Sequence, residues 1–130
     1  ITAMTATLAA DVVLAASNTW YDGPALTLDA GTWLVSGQIT QVRATTTAEF
    51  IYGRITDGTV HYASQQAHHA SATGSGNALS MLAILTLAAP ATVKLQCATS
   101  AGNAVSAMKA ALSNNGSGNN ATQINAIRLA

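Results

Sequence analysis

Thr32-Trp33-Leu34-Val35-Ser36-Gly37-Gln38-Ile39-Thr40-Gln41-Val42 is the stretch that decides the fold. Extended backbone sends successive side chains to opposite faces. Trp33, Val35, Gly37 and Ile39 then share one face, and Leu34, Ser36, Gln38 and Thr40 share the other. This is the clearest strand of the chain, and its periodicity places Trp33 in a core.

Composition alone points elsewhere. The 130 residues include 28 Ala, a strong helix former. Yet Thr is also abundant, with 17 copies, helix-stabilising Glu/Lys pairs are absent, and turn signals recur about every ten residues. That spacing predicts many short strands. Upstream, Thr5 to Leu14 reads as extended, Asn18 to Pro24 as a loop with Asp22-Gly23-Pro24 as its turn, and Ala25 to Leu28 as a short strand ending at Asp29-Ala30-Gly31. Downstream, Thr45 to Thr56 and Val60 to Gln65 flank Asp57-Gly58, a hairpin signal. His68 to Asn77 reads as a small-residue loop. Ala78 to Leu87 is a strongly apolar strand, with Leu79, Met81, Leu85 and Leu87 on one face and Leu82 and Ile84 on the other. After a turn at Ala88 to Ala91, Val93, Leu95, Cys97 and Thr99 face inward, with Lys94 and Gln96 outward. Ala104 to Leu112 is read as a short strand, with a helix as the alternative. A polar loop from Asn114 to Asn120 leads to a last strand, Thr122 to Leu129. Eight to ten strands in one domain, residues 1–130, predict an all-β antiparallel β-sandwich of the jelly-roll type.

Charge is scarce: five Lys and Arg against five Asp and Glu, for a net charge of zero. Five scattered cations make no nucleic-acid footprint. No run of 18 apolar residues exists, so no membrane-inserting helix is expected. The opening Ile1-Thr2-Ala3-Met4 has no basic region of a signal peptide, and the start without Met is read as trimming or as an excerpt from a longer chain. So little charge leaves a free surface poorly protected against association, which points to a surface covered by partners.

No motif of a nucleophilic hydrolase, a nucleotide loop or a zinc protease is present, so no catalytic residue is assigned and no enzyme is expected. Asp22, Asp29, Glu49 and Asp57 form no specified acid pair; Asp29 and Asp57 are read as turn residues. His61, His68 and His69 have no ligand spacing, so neither a metal nor a cofactor is expected. Cys97 alternates with Val93 and Leu95 and reads as a small buried hydrophobe. Asn115-Gly116-Ser117 and Asn120-Ala121-Thr122 match the glycosylation pattern, which is short enough to arise by chance in an Asn-rich loop. Trp20 and Tyr21, in a loop-like segment, offer apolar ring faces for stacking on a sugar. With His68 and His69 they are the candidate ligand-binding residues.

Six stretches in order carry a resemblance. Asn18-Thr19-Trp20-Tyr21-Asp22-Gly23-Pro24, Leu26-Thr27-Leu28 and Gly31-Thr32-Trp33-Leu34-Val35-Ser36-Gly37 resemble the opening of C1q/TNF-like jelly-roll modules. Arg54-Ile55-Thr56-Asp57-Gly58-Thr59 and Ala91-Thr92-Val93-Lys94-Leu95-Gln96 follow in the same order, and Asn119 to Leu129 resembles the closing strand. Such modules recur in tailed-bacteriophage virion proteins. The resemblance implies a tight homotrimer with two five-stranded sheets per subunit. It implies a structural role in a bacteriophage virion, as tail fibre, head fibre or host-attachment tip, or as capsid decoration. The implied partners are other virion proteins and a host surface glycan or protein. The other reading is a carbohydrate-binding module or lectin. Under the trimer reading the interface is drawn from the two parities of one strand, Leu82 and Ile84 or Met81 and Leu85.

Overall fold

The computed structural model describes residues 1–42, 47–69, 76–112 and 118–130. Ten strands follow one another: β1 (Ala3–Thr7), β2 (Val12–Val13), β3 (Tyr21–Leu28), β4 (Gly31–Val42), β5 (Glu49–Thr56), β6 (His61–His69), β7 (Gly76–Leu87), β8 (Ala91–Thr99), β9 (Ala107–Met108) and β10 (Gln123–Arg128). No helix occurs among the described residues. All pairings are antiparallel.

Strand β4 organises one sheet. It pairs with β7 along its whole length, from Gly31↔Leu87 to Val42↔Gly76. On its other edge it pairs with β10 over residues 33–38 and then with β9 at residues 41–42. β1 extends this sheet beyond β10, and β2 extends it beyond β9, giving six strands. The second sheet has four strands in the order β3-β8-β5-β6. Consecutive strands mostly cross between sheets, and β5–β6 is a hairpin within one sheet. This is an antiparallel jelly-roll sandwich. The division is six and four strands rather than five and five, because the two-residue strands β2 and β9 both join the β4 sheet.

The hairpin turn follows from its residues. Asp57 Oδ1 accepts from the backbone N–H groups of Thr59 and Val60, at 2.9 and 2.7 Å, and Gly58 takes φ 97°, where a side chain would be strained. Tyr62 donates its hydroxyl proton to Asp57 Oδ2 at 2.8 Å. These three donors hold the Asp57 carboxyl below its ordinary pKa, the backbone donors foremost.

The strand alternation carries over to burial. Trp33, Val35 and Ile39 of β4 face the core, with Trp33 1% exposed and its indole N–H donated to the Asp29 carbonyl at 2.9 Å. Val93, Leu95 and Cys97 meet them from β8, and Ile51 and Ile55 from β5. Gly37 lets the sheets approach, since a Cβ there would collide with the Leu95 side chain. The Cys97 thiol is fully buried, which with the charge of Glu49 pushes its pKa up to about 12. On β7, Leu79, Met81, Leu85 and Leu87 all point into the core. Met81 and Leu85 therefore leave the interface set: both are covered by their own subunit.

Several boundaries differ from expectation. The first extended region breaks into β1 and β2, and Ala104 to Leu112 contributes two strand residues. Thr45 and Thr46, at the start of one expected strand, lie outside the described residues, as do Ala70 to Ser75 of the expected loop and Ser113 to Ser117 near the polar loop. The sequon at Asn115 lies there too. Asp22-Gly23-Pro24 is not a turn. It sits inside β3 as a bulge, where the pairing with β8 shifts register between Asp22 and Ala25. Gly and Pro suit a bulge because it releases them from the ladder of hydrogen bonds.

Candidate functional site

The two sheets present outer faces of different chemistry. On the β4 sheet the outward rows can be read from register. Ala3, Ile127, Leu34 and Ile84 form one row across β1, β10, β4 and β7; Thr5, Asn125, Ser36 and Leu82 form the next. Thr7, Gln123, Gln38 and Ser80 follow, and Thr32 lies opposite Thr86. None of these positions carries a charge. Leu82 and Ile84 are 65% and 68% exposed and Ile127 is also exposed, so the subunit leaves an aliphatic centre uncovered. The surrounding hydroxyls and amides bond one another: Thr5 donates to Asn125 Oδ1 at 2.8 Å, and the Thr32 and Thr86 hydroxyls lie 3.0 Å apart.

On the β3-β8-β5-β6 sheet the outward side chains are aromatic and polar. Trp20, just before β3, has its ring 6.4 Å from that of Tyr52 on β5. Phe50, two residues along the same strand, lies 6.4 Å from Tyr52 at an interplanar angle of 21°. His68, opposite Phe50 on β6, lies 5.0 Å from it. The strip Trp20–Tyr52–Phe50–His68 thus crosses the face. Two shallow depressions flank its Trp20–Tyr52 end. One, about 340 Å³, is lined by Trp20, Tyr52, Gly53, Ser64, Gln65 and Gln66. The other, about 200 Å³, is lined by Asn18, Trp20, Tyr52 and Ala98.

The charges on this face are consumed locally. Arg54 lies over the Trp20 ring, 4.0 Å from its centre, a cation–π contact. Its Nε donates to Gln96 Oε1 at 2.7 Å; the Gln96 amide donates to Asp22 Oδ1 at 2.7 Å; Lys94 Nζ donates to Asp22 Oδ2 at 2.9 Å. The Gln96 amide and then the Lys94 ammonium hold the Asp22 carboxyl below the usual range, against an opposing effect of burial. Arg54 Nη1 also reaches His61 Nε2 at 3.3 Å. His61 Nδ1 lies 2.9 Å from Thr56 Oγ1, whose proton goes to the Val60 carbonyl, so the partners assign Nδ1 as the donor and Nε2 as the acceptor.

The four candidate ligand residues separate. Trp20 and His68 lie on the strip. Tyr21 does not: it opens β3, packs against the core, and its hydroxyl accepts from Ala16 N at 2.9 Å. Alternation sends the neighbour of an outward Trp20 inward. His69 is likewise withdrawn. It is 3% exposed and donates from Nε2 to Gln41 Oε1 at 2.7 Å, while the Gln41 amide reaches Glu49 Oε1 at 3.4 Å and Thr99 donates to Glu49 Oε2. His69 is part of a buried polar end of the sandwich because β6 runs on through it instead of giving way to a loop at His68. Tyr52 and Phe50 are the members that sequence reasoning missed. The signal was present, since both alternate with the inward Ile51 and Ile55 and so had to face outward. Among the described residues no group of three or more His, Cys, Asp or Glu side chains is placed to hold a metal ion.

No family model matches the sequence, and no curated protein matches it. Solved structures do match its fold. An Eiger TNF from S. frugiperda aligns over 98% of this chain and 92% of its own, with TM-score 0.60 and 13% identity. A chain of the T13 IBDV viral particle aligns over 96% of this chain with TM-score 0.61 and 16% identity, and a chain of the infectious bursal disease virus Gt strain over 99% with TM-score 0.53 and 17% identity. This chain spans only 30% and 38% of those two viral chains. At such identities the likeness is one of fold: a jelly roll of the kind found in a TNF and in virus particles.

Proposed function

We propose that the chain is a non-enzymatic structural protein of a virus particle, assembled as a homotrimer through the outer face of the β4 sheet. The observation that carries this reading is the uncharged rows centred on Leu34, Leu82, Ile84 and Ile127. A solvated sheet face ordinarily alternates apolar residues inward with charged and polar ones outward. Here the outward centre is aliphatic and the positions in its rows are uncharged, while Lys109 and Asp11, at the β9–β2 end of the same sheet, pair with each other. Copies of the same face bring matching uncharged rows, and rotational symmetry closes them into a ring. Covering Leu82 and Ile84 contributes about 1–2 kcal/mol each at their present exposure. Threefold repetition multiplies that gain within one particle.

The virion setting, and its bacteriophage form as fibre tip, head fibre or capsid decoration, rests on the ordered sequence resemblance. The fold likeness to chains of virus particles is in keeping with it. Sedimentation of Leu82→Asp and Ile84→Asp tests the trimer. The expected outcome is a trimer for the unaltered chain and folded monomers for both variants; trimers throughout would overturn the interface. An antibody raised against the chain and imaged on intact particles tests the setting. Label at regular lattice positions marks a decoration, label at a distal tip marks a fibre, and unlabelled particles overturn the virion reading. The second reading, a carbohydrate-binding module, is favoured by the aromatic strip, and the two readings are compatible because they use opposite sheets.

A further inference from the structure

We propose that the outer face of the β3-β8-β5-β6 sheet is a binding site for a neutral hexopyranose within a larger glycan, with Trp20 and Tyr52 as stacking rings and Ser64 and Gln66 as hydrogen-bonding groups. Three observations converge on that occupant.

The first is the strip itself. Trp20, Tyr52, Phe50 and His68 follow one another at 5.0–6.4 Å between ring centres on a face otherwise made of polar and internally bonded charged side chains. A pyranose ring offers a face of C–H groups of slight positive polarity. That face suits the negative face of an aromatic ring, while its hydroxyls stay at the rim. An aliphatic partner would use the rings but leave the amides and hydroxyls beside them unpaired.

The second is the pair of depressions on either side of the Trp20–Tyr52 pair. The larger one holds uncommitted polar groups. The side chains of Gln66 and Ser64 are exposed and bond no other described residue, and the Gln65 side chain spends only its carbonyl oxygen, on Ser80 N at 2.8 Å. An amide beside a stacking ring supplies both donor and acceptor, which matches a hydroxyl that is both.

The third is charge. Arg54 and Lys94 lie next to the strip, but Trp20, Gln96, His61 and Asp22 already engage them. Asp22 is engaged in turn by Gln96 and Lys94. One carboxylate stands against two cations, but each of the three already has protein partners and none is left unbonded to reward an acidic or a basic ligand, so a neutral sugar is the matching class. The inference does not depend on the trimer, which would be built on the opposite sheet.

The test is titration of the intact chain, followed by amide NMR and by tryptophan fluorescence. Trp33 is buried, so a ligand-induced fluorescence change reports on Trp20. The probes are glucose, galactose, mannose and N-acetylglucosamine oligosaccharides, with sialyllactose and an unrelated peptide as charged-sugar and protein controls. At about 10 mM ligand a site of about 1 mM Kd is nearly saturated. The expected result is a saturable response to at least one neutral oligosaccharide, with shifts confined to Trp20, Tyr52, Ser64 and Gln66. Trp20→Ala is expected to weaken it at least tenfold, and Gln66→Ala roughly threefold to tenfold, as for loss of one hydrogen bond. Gln66 is exposed, so its variant tests the site even if Trp20→Ala fails to fold. Silence with every neutral probe, a response to sialyllactose or peptide alone, or neutral-sugar binding unchanged by Gln66→Ala and by Ser64→Ala would each overturn the proposal.

Discussion

The two outer faces of this sandwich are built on the same backbone alternation and differ in what the outward positions carry. Around the centre of the β4 sheet they carry aliphatic and uncharged side chains; on the β3-β8-β5-β6 sheet they carry rings, amides and charged groups already bonded within the protein. A flat uncharged face gains mainly by being covered over a large area, so it suits another protein surface. A face of rings beside free amides gains from a small ligand with both C–H and hydroxyl groups. The scarcity of charge in the sequence thus has a spatial form: the rows through Leu82 and Ile84 hold none, and the Lys109–Asp11 pair lies at the β9–β2 end of that sheet.

The largest effect separates two residues of one strand. Leu85 is 3% exposed and Leu82, three positions earlier, is 65% exposed. Leu85→Asp places a carboxylate in the core with nothing to pair it, and is expected to cost more than about 4 kcal/mol, enough to abolish the cooperative transition in circular dichroism. Leu82→Asp is expected to keep the subunit fold and lose the assembly. Equal damage from both would erase the distinction between core and outer face on β7.

The two tryptophans make the same comparison across the sheets. Trp33→Ala removes the largest fully buried side chain together with its bond to the Asp29 carbonyl, and is expected to cost about 3–5 kcal/mol in urea unfolding. Trp20→Ala removes one face from Arg54 and one neighbour from Tyr52, and is expected to cost about 1 kcal/mol. A Trp20 variant as unstable as the Trp33 variant would make the strip a structural prop.

The contrast also shows where sequence reading ran out. Alternation in β4 placed Trp33, Val35 and Ile39 in the core without any structure, because one parity was clearly more apolar. On β7 both parities are apolar, and the choice between Met81 with Leu85 and Leu82 with Ile84 depends on which sheet lies opposite, a tertiary fact. Trp20 was legible as a ring near a turn. Its partner Tyr52 is 32 residues away and joins it only because β8 pairs with both β3 and β5. Asp22-Gly23-Pro24 misled for a local reason: the residues that make turns also make bulges, and only the pairing with β8 distinguishes them.

The smallest expected effect tests what Asp22 does to the charge of the ring-bearing face. Asp22 has its pKa lowered in the folded chain, by Gln96 first and then Lys94, so the stability it adds is present above the ordinary carboxylate pKa of about 4 and is lost as pH falls through the lower folded value. Its side chain is 59% exposed, so screening limits the pair with Lys94 to at most about 1 kcal/mol. Asp22→Asn should therefore lower the urea midpoint slightly at pH 7, and the gap to the unaltered chain should shrink by pH 2. It should also leave Lys94 without its anion and Arg54 beside a second uncompensated cation. A cationic edge beside Trp20 and Tyr52 should then favour sialyllactose over the neutral sugars, most visibly at low salt. A gap independent of pH, or sugar selectivity unchanged in the variant, would show that Asp22 does not set the charge this face presents to a ligand.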